Sequence, residues 1–135
     1  MKIAHLPKSV ALELTYRCNH KCKFCSCPWD APNSTYLKGE ELSICDWMKV
    51  IELLYNKGVE SFSISGGEVL LKDGFESILG FIRQEGKKRG IDLPIVLISN
   101  ARNMTADYIH LFKELNVHLS MSLPGYETFQ EHTGV

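Results

Sequence analysis

The chain has 135 residues, 44% of them apolar and 23% charged, with a formal net charge of −1. That length holds one domain with a core of its own, and the composition excludes an intrinsically disordered chain. A charge so near zero gives no electrostatic basis for a nucleic-acid or anionic-membrane partner.

Residues 1–10 carry lysines at positions 2 and 8 but neither the apolar run nor the cleavage site of a secretory signal. No stretch approaches the roughly eighteen apolar residues that cross a bilayer, so no membrane partner is expected and the chain reads as cytoplasmic. Four of the five cysteines lie between positions 18 and 27. A secreted disulfide framework would spread them along the chain, whereas clustered thiols in a reducing compartment bind metal or do redox work.

Val10 to Thr15 alternates like a half-buried strand and delivers the cysteine loop at its C-terminal end. Pro28, Pro32, Asn33 and Ser34 keep the following stretch irregular to about Glu41. Ser43 is the expected N-cap of a helix running to about Lys57, with Asp46 in its first turn and Gly58 as its stop. Ile44, Trp47, Met48, Ile51, Leu54 and Tyr55 recur at helical spacing and are expected to face the core.

A second strand, Ser61 to Ser65, leads through Gly66-Gly67-Glu68 into a helix from about Asp73 to Lys88. Phe75, Ile78, Leu79 and Ile82 form its apolar stripe, and Lys87-Lys88-Arg89 read as a solvated C-terminal end. Pro94 opens a third strand, Ile95 to Ser99; Thr105 caps a third helix to about Leu115; Val117 to Leu123 is the fourth strand, with a last helical turn from Tyr126 to His132.

Alternating strands and helices imply a parallel sheet with right-handed crossovers, an α/β fold whose functional residues gather at the strands' C-terminal ends. The cysteine loop, Gly66-Gly67-Glu68, Ser99-Asn100 and Ser122 all fall there. Three strands also divide into two faces: Ala11, Glu13 and Thr15, then Ser61, Ser63 and Ser65, then His118, Ser120 and Ser122 oppose Val10, Leu12 and Leu14, then Phe62 and Ile64, then Val117, Leu119, Met121 and Leu123. A sheet covered on both sides would read apolar throughout, so the polar face meets water or lines a cavity. The third strand, Ile95-Val96-Leu97-Ile98, breaks this pattern.

Cys18, Cys22 and Cys25 form a C-x3-C-x2-C motif that a single loop can turn to one point. Structural zinc takes four ligands, usually as two separated pairs, whereas three cysteines on a four-iron cluster leave one iron open. The spacing, with Phe24 before the third cysteine and Gly66-Gly67-Glu68 forty-one residues beyond it, resembles the radical S-adenosylmethionine (radical SAM) superfamily. The resemblance implies a partial parallel β/α barrel in which Cys18, Cys22 and Cys25 hold a [4Fe-4S] cluster. The open iron chelates S-adenosylmethionine, and one electron cleaves that cofactor to a 5'-deoxyadenosyl radical that abstracts hydrogen from a substrate.

It further implies that Gly66, Gly67 and Glu68 receive the cofactor's amino group, the glycines removing side chains from a ligand's path. Val69 stands where the family often has proline. Phe24 would pack near the adenine. Ser122, in Ser122-Leu123-Pro124-Gly125, resembles the family's Ser-Leu-Asp-Gly, and Ser99-Asn100-Ala101 resembles its Thr-Asn-Gly. The implied partners are S-adenosylmethionine, an electron donor such as a flavodoxin or ferredoxin, and a substrate; the pattern is most similar to members that modify peptides or proteins.

Other readings stand beside these. The thiols could hold zinc or be unligated, as a non-catalytic module. Cys27 reads as a spare thiol rather than a fourth ligand, and Cys45 as core. Gly66-Gly67 alone could be a tight turn. His5, His20, His110 and His132 read as solvated. Glu13, Ser61, Ser63 and His118 are lining candidates without assigned chemistry. The resemblance also implies more strand-helix units than the four strands and about three helices here. Residues 1–135 are therefore expected to be the N-terminal part of a core completed by a missing C-terminal part or a partner chain, or else a truncated remnant.

Overall fold

The computed structural model describes residues 7–27, 29 and 35–135. Its four strands, β1 (Ser9–Glu13), β2 (Ser61–Ser65), β3 (Ile95–Ser99) and β4 (Val117–Met121), form one sheet in the order β1-β2-β3-β4, every pair parallel. Between them run α1 (Ile44–Asn56), α2 (Phe75–Lys88) and α3 (Ala106–Glu114), and a short α4 (Phe129–Thr133) follows β4. The expected α/β class and its partial parallel barrel architecture are present. The tract around Pro28, Pro32, Asn33 and Ser34 lies outside the described residues, as does His5.

Local chemistry sets the helix ends. Ser43 accepts from the Asp46 N–H and Thr105 from the Tyr108 N–H, the expected side-chain caps. Gly58 follows α1 with φ of 92°, a conformation that ends a helix without strain. Helix α2 starts two residues later than expected because Gly74, at φ of 80°, forms the boundary.

The core lies between the sheet and α1 to α3. Leu12, Phe62, Ile64, Ile95, Leu97 and Val117 point into it from the strands, meeting Ile51, Tyr55, Phe75, Ile78, Leu79, Ile82 and Phe112 from the helices. The third strand obeys the two-face rule after all. Ile95 and Leu97 are buried, while Val96 is half-buried and Ile98 exposed on the face that carries Ser63 and His118. Its alternation was hidden because apolar residues occupy both faces.

Several expectations are corrected. Trp47 packs only at the core's margin, and Met48 is outside the buried cluster. Cys45 is exposed on the outer side of α1. Arg89 is not a solvated end: it pairs with Glu85 and lies 5.0 Å over the Tyr55 ring, and Lys88 also pairs with Glu85. Strand β4 ends at Met121, and Leu119, Met121 and Leu123 are exposed, because the five-residue α4 packs against the cysteine loop and not over this strand.

Candidate cofactor site

Beyond β1 the chain turns across the C-terminal end of the sheet, held there by main-chain contacts. The Gly67 N–H donates to Thr15 O (2.7 Å) and the Glu68 N–H to Arg17 O (2.7 Å). A β-carbon on Gly67 would sit 2.4 Å from Arg17 O and 2.8 Å from Tyr16 O; one on Gly66, at φ of 154°, would sit 2.8 Å from Thr15 O. The glycines therefore make room for the cysteine-bearing loop itself, a nearer reason than an approaching ligand.

Glu68 is 1% exposed. Its Oε1 accepts from the Ser99 hydroxyl (2.7 Å) and the Leu70 N–H (3.0 Å), and its Oε2 from the Asn100 N–H (2.7 Å). The Ser99 hydroxyl also accepts from the Ala101 N–H at 2.9 Å. The Asn100 side chain continues outward to Asn19 Oδ1, and the Asn19 amide donates to Asn103 Oδ1 (both 2.8 Å). One hydrogen-bonded chain thus ties the end of β3 to both the Gly-Gly-Glu loop and the cysteine loop. Ala101 has φ of 58°, the left-handed conformation that glycine takes without strain, which accounts physically for the glycine in the pattern it resembles.

The cysteine loop has a second brace from the end of the chain. The Lys21 N–H donates to Thr133 O and the Lys23 N–H to His132 O, each at 2.9 Å. His20, expected to be solvated, is 8% exposed, stands edge-on to Phe129, and its Nε2 has no partner among the described residues. Burial and the neighbouring Arg102 lower its pKa.

Cys18, Cys22, Cys25 and Cys27 line an open cavity of about 760 Å³ together with Gly67, Tyr16, Arg17 and His20. Burial raises the Cys18 and Cys22 pKa values, and the neighbouring cysteines add to the rise. Burial, then Cys25, pushes Cys27 up to about 12, and its thiol donates to Gly66 O at 3.7 Å. Among the described residues no three His, Cys, Asp or Glu side chains converge where one metal ion could sit. Three thiols on one cavity wall are a donor set that fits a multi-iron cluster, whose cysteines bind separate irons.

Of the other site candidates, Glu68 and Ser99 are buried behind this cavity as its support. The Ser122 N–H approaches Ser99 O (3.4 Å), but its side chain is exposed. Phe24 is 52% exposed and is not among the cavity's lining residues.

The pair Glu41 and Lys72 was not singled out from the sequence. Glu41 Oε1 accepts from the Thr15 hydroxyl (2.6 Å) and the Tyr16 N–H (2.8 Å), and its Oε2 from Lys72 Nζ (2.9 Å), which also donates to Leu42 O. Burial pushes this carboxyl upward, but the bonds from Thr15, Lys72 and Tyr16 outweigh it and hold the pKa at about 2. Because the folded pKa lies below the ordinary 4.5, the contribution is fully present above about pH 4.5 and lost as pH falls towards 2. Between pH 5 and 2, denaturant unfolding should show the native chain losing about 1 to 2 kcal/mol more than Glu41→Gln, after allowance for solvent screening of this partly exposed carboxylate. Equal losses would mean that the pair does not hold the loop.

A parallel α/β sheet that presents a thiol-rich loop beside a Gly-Gly-Glu turn at the strands' C-terminal ends is the architecture of a cofactor-binding α/β protein. The chain belongs to the radical SAM superfamily, whose family model matches residues 12–133. That family uses a [4Fe-4S] cluster and S-adenosylmethionine, and these are the cofactors of this chain.

The sporulation killing factor maturation protein SkfB of Bacillus subtilis is 29% identical over 125 residues, 92% of this chain and 28% of that protein. An S-adenosylmethionine-dependent nucleotide dehydratase of Selenomonas ruminantium is 27% identical over 116 residues, 85% of this chain and 40% of that protein. The PqqA peptide cyclase of Rhodopseudomonas palustris is 31% identical over 97 residues, 72% and 25% of the two chains. The crystal structure of Streptococcus suis SuiB bound to S-adenosylmethionine superposes with a TM-score of 0.75 at 19% identity, covering 96% of this chain and 28% of that one. The chain thus spans 40% or less of the length of each of these relatives.

Proposed function

We propose that this chain carries the cofactor half of an enzyme that starts radical modification of a peptide or protein. Cys18, Cys22 and Cys25 hold the cluster, and the loop at Gly66, Gly67 and Glu68 receives the amino group of S-adenosylmethionine. The observation that carries this reading is the shared cavity of the three thiols and Gly67. Held by Cys18, Cys22 and Cys25, such a cluster would supply one-electron reduction of S-adenosylmethionine bound beside Gly67, the chemistry that starts hydrogen abstraction from a substrate.

The chain's own part is placement. Gly67 lets the two loops meet, Glu68 and Ser99 fix the turn from behind, and the Asn19–Asn100 bond sets its distance from β3. The Gly67 main chain is the acceptor surface for the amino group; the Glu68 carboxylate already has three protein donors. The peptide class rests on the similarity to a PqqA peptide cyclase, and the nucleotide dehydratase marks the competing class. Residues 1–135 serve as the N-terminal portion of a larger core, and a flavodoxin or ferredoxin is the electron donor.

Anaerobic reconstitution with iron and sulfide, followed by electron paramagnetic resonance of the reduced protein, tests the proposal. A [4Fe-4S] signal that shifts when S-adenosylmethionine is added is expected. A cluster indifferent to the cofactor would leave a non-catalytic iron-sulfur module.

A further inference from the structure

Next to the thiol cavity, and sharing Tyr16 with it, lies a smaller cavity of about 240 Å³. Its walls include the carboxylates Glu13, Glu40 and Glu41 and the rings of Tyr16, Trp29 and Tyr36. The rings do not stack. Tyr16 meets Trp29 edge-on, with centroids 5.1 Å apart and planes at 79°, and Tyr36 is inclined at 60° and 54° to the two at 6.2 and 6.0 Å. Three inclined rings form a corner whose π-faces look in different directions.

We propose that this cavity binds an organic cation, an ammonium or guanidinium group on a substrate side chain, which deepens the peptide reading above and rests on it. Glu41 is already compensated by Lys72. The Glu13 and Glu40 carboxylates have no hydrogen bond or ion pair among the described residues, yet both line this aromatic-walled space. Trp29 also lines it and is 8% exposed. Free carboxylates beside aromatic faces attract a cation through charge and through the ring quadrupoles together. The Glu13 and Glu40 carboxylates would repel an anion.

Size narrows the ligand. Drug-sized molecules occupy pockets of about 300 to 1,000 Å³, so this cavity takes one functional group and leaves the remainder of the substrate outside. Glu13 stands at the C-terminal end of β1, and Tyr16 lines both this cavity and the thiol cavity. A cationic side chain anchored there would place neighbouring substrate atoms at the mouth of the thiol cavity.

Isothermal titration calorimetry of the reconstituted chain tests this with three probes: n-butylammonium, Nα-acetyl-lysine-N-methylamide and the uncharged norleucine counterpart. The two cations should bind saturably and the norleucine compound at least about tenfold more weakly, with Glu13→Gln and Glu40→Gln each weakening the cations about tenfold, or about 1.4 kcal/mol. Tighter binding of the lysine derivative would identify a peptide side chain as the source, and equal binding a free amine. Norleucine binding equal to lysine, no binding by any probe, or Gln variants that bind unchanged would overturn the proposal. Both glutamates are exposed, so thermal melting separates lost binding from lost folding. The response of the cluster signal to S-adenosylmethionine is read on the same sample. If that response persists without amine binding, only the cation site fails; if it is absent, the cofactor reading fails.

Discussion

Replacing any one of Cys18, Cys22 or Cys25 with alanine should reduce bound iron from about four per chain to background after reconstitution, because a cubane held by two thiolates loses its anchor. Cys27→Ala and Cys45→Ala should load as the native chain does. Cys45 is exposed on α1, away from the cavity-lining residues, and the Cys27 thiol is engaged with Gly66 O. Iron and sulfide content with the visible charge-transfer band read the result directly. Loss of iron in Cys27→Ala would make Cys27 a fourth ligand, close the iron that the cofactor needs, and favour the non-catalytic module. Retained iron in Cys22→Ala would remove the three-thiol assignment altogether.

That Cys18, Cys22 and Cys25 share one cavity was legible because thiols on one loop are brought together by local spacing, which a sequence displays directly. The helix caps at Ser43 and Thr105 and the alternation of β2 were legible for the same reason: each depends on residues within a few positions. What the sequence hid was non-local. Glu68 reads as a ligand candidate from its motif, yet its partners Ser99 and Asn100 lie over thirty positions away and, with Leu70, engage both carboxylate oxygens. The Glu41–Lys72 pair spans thirty-one positions and joins two loops that carry no periodic signal.

Burial errors share one cause. Cys45, Met48 and Leu119 are apolar or soft residues at positions where only the presence or absence of a covering element decides exposure, and propensity is silent about that. His20 errs in the opposite direction, because α4 and Phe129 fold back over the cysteine loop. The acidic aromatic cavity was invisible for a related reason. Glu13, Tyr16, Trp29, Tyr36 and Glu40 come from a strand end and separate loop positions, and no spacing rule links them.

Glu68→Ala should unfold the site before it affects any chemistry. The substitution strips the acceptor from the Ser99 hydroxyl and from the Leu70 and Asn100 N–H groups in a position that is 1% exposed. An orphaned buried donor costs about 1 to 3 kcal/mol, and because neighbouring losses are not additive a total of about 3 to 5 kcal/mol is expected. That is a large share of the roughly 5 to 15 kcal/mol that holds a domain together, and it should lower the melting temperature by about 10 °C or more. Glu68→Gln keeps one acceptor oxygen and turns an amide toward a donor, so it should fall between the alanine variant and the native chain. Gly67→Ala acts on the same joint from the other side, driving a β-carbon to 2.4 Å from Arg17 O and forcing the two loops apart. All three variants should therefore lose thermal stability and cofactor response together. If Glu68→Ala melted as the native chain does while losing only its response to S-adenosylmethionine, the carboxylate would be a direct cofactor contact, and the hydrogen bonds to Ser99 and Asn100 would not be what holds the turn in place.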